Sequence, residues 1–119
     1  MRVAGFPSPA DEYGLVSLSL YELLIPRPTS TFFVRVAEDL APNIKHDDIL
    51  IIDRSLTVRD GSLALVVMNG QLVLRRAMAR QGSIWMCPLQ GGHPVLLKDD
   101  DDQLLWGVVA HVIHKTLVA

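Results

Sequence analysis

The sequence holds a single cysteine, Cys87, so no internal disulfide framework is available and a reducing cytoplasm is the expected setting. No apolar run approaches the roughly 20 residues that cross a bilayer. Nor does a basic start followed by an apolar core mark a secretory signal. Basic charge is also scarce: 11 Lys and Arg against 13 Asp and Glu leave a formal charge of −2. That gives no basis for direct sequence-specific DNA binding through phosphates, so any link to nucleic acid is expected to run through a protein partner. No metal-ligand or cofactor pattern stands out. His111 and His114, three apart on a strand, face opposite sides. The acidic run at positions 99–102 reads as a solvated loop, and His46, Asp47 and Asp48 read as a solvated turn.

Half of the 119 residues are hydrophobic and a fifth are charged, the balance of one folded domain with a real core. Residues 1–14, with Gly5, Pro7 and Pro9 among small residues, read as an extended arm; residues 15–119 form the domain. Leu15 to Ile25 begins with strict alternation and then closes as one helical turn at YELL, before Pro26 and Pro28 stop it. Strands are expected over 31–36, 48–53, 63–68, 71–78, 83–86, 95–97 and 104–116. Asn69-Gly70 marks a two-residue hairpin turn, and Gly107 marks a bulge or a close backbone contact. Short strands at regular spacing with little helix give a mostly-β domain, a curled sheet or partial barrel with one short helical turn near the N-terminus. Trp85, Trp106, Phe32 and Phe33 are expected in the core or in a dimer interface.

The most informative stretch is TFFVRVAEDLAPNIKHDDILIID, from Thr31 to Asp53. A β-branched and aromatic run, a polar turn at Pro42-Asn43 and an apolar run bounded by acids follow one another. With GFPSPADEY from Gly5, LYELLIPRPTSTFFVR from Leu20, the Asn-Gly hairpin and WGVVAHVIHK from Trp106, this layout resembles the LexA/UmuD family of self-cleaving serine peptidases. The likeness is to the UmuD members in their processed form. It covers nearly the whole chain and implies the LexA C-terminal-domain fold.

The family's chemistry is a serine/lysine dyad in which a desolvated lysine takes the proton of the attacking hydroxyl. The serine follows the Asp of a G-D-S-M motif. Here that Asp is Asp39, the next residue is Leu40, and the turn beyond it is about two residues shorter than the family's. The lysine's place on the second hairpin strand holds Arg75, with Arg76 beside it. Leucine has no nucleophilic atom and a guanidinium stays protonated, so the resemblance implies a dead dyad. Glu38 and Asp39 are the acids expected to pair with Arg75. The family's scissile bond corresponds to Ala4-Gly5, with only Met1 to Ala4 before it, too short a stretch for an arm that crosses the domain.

From this resemblance we expect a catalytically inactive accessory subunit of an error-prone translesion DNA polymerase in the SOS response to DNA damage. Its implied partners are a second copy or a UmuD relative, a UmuC-type Y-family polymerase and the RecA filament. Two alternatives stand beside it. One is an autopeptidase using another serine among Ser17, Ser19, Ser30, Ser55, Ser62 and Ser83. The other is a repressor-type dimerisation domain, which would need a DNA-binding segment upstream.

Overall fold

A computed structural model describes residues 19–98 and 103–116. The elements are a short helix α1 (Leu20–Leu24), a 3-10 turn (Pro28–Ser30) and seven strands. These are β1 (Thr31–Arg35), β2 (Ile49–Asp53), β3 (Leu63–Met68), β4 (Gln71–Arg80), β5 (Ser83–Pro88), β6 (Val95–Leu96) and β7 (Gln103–Ile113). All pair antiparallel in one sheet of order β1-β2-β7-β3-β4-β5-β6. The domain is therefore mostly β, as expected, and the sheet stays open, with β1 and β6 at its edges. No helix of the described residues is long and apolar enough to cross a membrane.

Local chemistry accounts for the elements. Ser19 caps α1 by accepting the Glu22 amide, and Pro26 prevents another turn after Ile25. At Asn69-Gly70 both residues have positive φ (51° and 76°), the backbone a type I′ hairpin requires. A second such turn lies at Gln81-Gly82, with φ 52° and 77°. Strand β4 therefore runs two residues past the expected end at Met78, and β5 extends to Pro88. At the other end, β7 stops at Ile113, short of the expected Thr116.

Both faces of the central strands are covered. Leu50 and Ile52 on β2, Leu63 and Leu65 on β3 and Leu74 on β4 form one cluster with Val36 and Ile44. Ala64 and Val66, pointing the other way from β3, pack with Ala77 and Met86. Burial on both faces is why β2 and β3 read as unbroken apolar runs. Four strands separate β1 from β5 in the sheet order. A flat sheet would hold those two strands roughly 24 Å apart. Yet Val34 on β1 and Leu89 just after β5 line one cleft, so the sheet curls.

Gly107 fulfils both expectations. The pairing of β7 with β3 skips Trp106, and a Cβ on Gly107 would stand 2.6 Å from Ile52 Cγ2. The expected aromatic core is only partly realised within the monomer. Phe33 is 58% and Phe32 41% exposed; Phe32 meets Trp106 edge-on at 5.2 Å, and the Arg54 guanidinium lies over Trp106. Trp85 and Trp106 are half-buried.

Candidate functional site

The turn after β1 is built on its own backbone. Leu40 and Ala41 amides donate to the Ile44 carbonyl, the Ile44 amide donates to Ala41, and Pro42-Asn43 forms the tip. The Gln90 side-chain amide donates to the Leu40 carbonyl at 2.8 Å, tying the turn to the segment after β5. The Leu40 side chain packs against the core cluster and lines a cleft of about 450 Å³. Arg75, on β4 between Ala64 and Pro88, lines the same cleft. Its other walls are largely apolar, from Val34, Val36, Leu65, Leu72 and Leu89. Curling of the sheet thus brings the two suspected dyad positions to one cavity.

The expected pairing of Arg75 with Asp39 or Glu38 is not found. The Arg75 guanidinium donates to the neighbouring Leu74 carbonyl at 2.9 Å. Asp39 instead accepts the His46 amide at 2.9 Å and lies 3.9 Å from the Lys45 ammonium. Turn closure holds Asp39 toward its own loop, which takes it away from β4. Arg76 reaches outward to the Gly61 carbonyl.

Two carboxylates frame β2, and both are buried. Asp48, expected in a solvated turn, is 1% exposed. It accepts the Lys45 amide at 2.8 Å and meets His114 Nδ1 at 2.6 Å. The Lys45 amide is the main cause that lowers its pKa; burial opposes the shift, and His114 and the Lys45 charge add to it. At the other end, Asp53 accepts the Arg27 guanidinium, the Ser30 hydroxyl, and both the amide and hydroxyl of Ser55. Burial would raise its pKa, but the Ser55, Ser30 and Arg27 donors outweigh it and hold Asp53 well below the usual carboxylate range.

These bonds bear on the alternative nucleophiles. Ser30 and Ser55 donate to Asp53, Ser62 accepts the Arg59 amide, and Ser19 caps α1. Among the described residues, none of the candidate hydroxyls is bonded to a lysine or histidine. Ser17 and the expected vestigial bond Ala4-Gly5 lie outside the described residues, as does the acidic run at 99–102. His111 stands opposite Ile51 in the sheet while His114 turns to Asp48, so the two histidines do not converge.

Sequence reasoning missed the Asp48–His114 contact, the Asp53 cluster and the Gln90 tie. The only signal was the pair of acids that bracket the apolar run ILIID.

A family model described as Peptidase S24-like matches residues 2–109. Among curated proteins, Protein MucA of Salmonella typhimurium is 36% identical over 112 residues, covering 91% of this chain and 76% of that protein. Protein ImpA of Escherichia coli is 30% identical over 115 residues, with 95% and 79% coverage. Protein SamA of Salmonella typhimurium is likewise 30% identical, with 95% and 80% coverage.

Proposed function

This chain belongs to the S24-like peptidase family, that of LexA and UmuD, and from that membership we propose that it is a UmuD-like subunit without self-cleavage. Its role is that of an accessory subunit, as a homodimer or a heterodimer with a UmuD relative, to a UmuC-type translesion polymerase in the SOS response. The observation that supports the loss of cleavage is the shared cleft of Leu40 and Arg75. Acyl transfer needs a nucleophile and, within hydrogen-bond reach, a base that can be neutral. Leu40 offers only carbon, and a guanidinium, the group Arg75 carries, cannot serve as a neutral base. The scaffold around them has a cleft of about 450 Å³ at the two positions that correspond to the dyad.

The test follows the mass of the purified chain over time, with and without an activated RecA filament and at alkaline pH. An unchanged mass is expected. A Leu40→Ser, Arg75→Lys double substitution carrying a family-like arm is run beside it, and cutting of that variant alone would locate the loss in the dyad. Release of residues 1–4 from the unaltered chain would overturn the reading.

A further inference from the structure

We propose that the Leu40–Arg75 cleft is a binding site for an extended, apolar partner peptide that carries an acidic side chain, with Arg75 as the residue that selects the acid. That the peptide is retained uncut rests on the reading above; the binding itself rests on three observations.

The first is charge. Arg75 is half-buried in a largely apolar cavity, and its guanidinium bonds only the Leu74 carbonyl among the described residues. The other charged groups on the cleft, Arg35 and Glu38, form no ion pair with it. Arg35 is itself a cation and lies 3.8 Å from Asp47, while Glu38 is exposed and forms no ion pair among the described residues. A guanidinium in such a setting has a planar fork of donors left to fill, and a carboxylate fits that fork with two parallel hydrogen bonds.

The second is an open sheet edge. Among the described residues, strand β1 pairs only with β2. The Val36 amide and carbonyl are both used inward, toward Asp48 and Asp47. By the alternation of an antiparallel ladder, the backbone groups of Phe33, Arg35 and Ala37 face away from β2, and Arg35 and Ala37 line the cleft. An extended peptide can add its own backbone there.

The third is shape and lining. A cavity of about 450 Å³ walled by Val34, Leu72 and Leu89 takes a few apolar side chains, and Leu72 is 49% exposed with no cover from the described residues. Backbone addition supplies register, the apolar wall supplies contact area, and Arg75 supplies the choice of acid over its neutral analogue.

Phage-displayed heptapeptides selected on the intact chain test this directly. Recurrent apolar sequences with Asp or Glu at one fixed position are expected. Selected peptides are then made with amidated C-termini and a fluorescein label and titrated by anisotropy. Exchange of the acid for its amide should weaken binding roughly tenfold, the effect of losing one charge-assisted pair. Arg75→Met should erase that difference, and Leu72→Asn should weaken acid and amide peptides alike. No selected binder, no preference for an acid, or an acid preference that survives Arg75→Met would each overturn the proposal. Mass spectrometry of the bound peptide separates the two readings. A cut peptide that still obeys the Arg75 rule would leave the binding site standing and overturn the loss of cleavage.

Discussion

Asp53 and Arg75 are both charged strand residues, but the chain treats them in opposite ways. Asp53 accepts four hydrogen bonds, from Arg27, Ser30 and twice from Ser55. The packing beside it is equally complete: Ile52 is fully buried, and Gly107 on the neighbouring strand β7 has no room for one more carbon. Around Arg75 there is one bond to a neighbouring carbonyl and an open cavity. A region that satisfies its charge from within is spending that charge on the fold. One that leaves a cation on an open, largely apolar cleft keeps that charge available to a ligand.

The sharpest way to break this contrast is Asp53→Asn. An amide cannot accept from all four donors: with its oxygen toward Ser30 and Ser55 it sets an N–H donor against the Arg27 guanidinium, and flipped it strands both serine hydroxyls and the Ser55 amide. Destabilisation on the order of 3 kcal/mol is expected, read as a lower urea midpoint at neutral pH. The same cluster predicts the acid limb of stability. Asp53 and Asp48 both have folded-state pKa values below the ordinary one, so as pH falls the unfolded chain takes up protons first. Their contribution is complete above the ordinary carboxylate range of about 4 and is lost as pH drops below it toward the folded values. The urea midpoint should fall with acid in the native chain and fall less in Asp53→Asn. Equal slopes would show that the cluster does not carry the pH dependence.

Gly107→Ala probes the packing half of the same region. The new Cβ would sit 2.6 Å from Ile52 Cγ2, on a side chain with no exposed surface into which it could swing. A cost of about 2 kcal/mol is expected from forced repacking. Combined with Ile52→Ala, which removes the clashing methyl, the two costs should be less than additive in a double-mutant cycle. Full additivity would mean the strand shifts rather than clashes.

What the sequence made legible follows the range of the forces involved. Period and turn chemistry are local, so ILIID, LALVVM and the Asn69-Gly70 hairpin could be read directly. Gln81-Gly82 was missed because glutamine seldom adopts positive φ, and only the pairing of β4 with β5 holds it there. Asp48 looked solvated beside Lys45, His46 and Asp47, since its partner His114 lies 66 residues away along the chain. Leu40 and Arg75 were picked out by resemblance to a motif. Nothing in their spacing reveals that they line one cavity, because that depends on the curl of the sheet between β1 and β5.

Arg75→Met is the mildest substitution and tests the other side of the contrast. Methionine keeps much of the aliphatic stem that covers the cleft wall and gives up one hydrogen bond, to a carbonyl already placed within the β3–β4–β5 ladder region. Against that loss stands the removal of a half-buried charge with no carboxylate partner among the described residues, which costs free energy in the unliganded domain. The two effects nearly cancel, so the urea midpoint should correspond to a change within about 0.5 kcal/mol. A loss of several times that size would place Arg75 among the residues that hold the fold, as Asp53 does, and would remove the reason to see its charge as reserved for a ligand. A neutral or slightly stabilising result would mean that the fold does not need the guanidinium, which leaves the cleft's occupant as the group its charge serves.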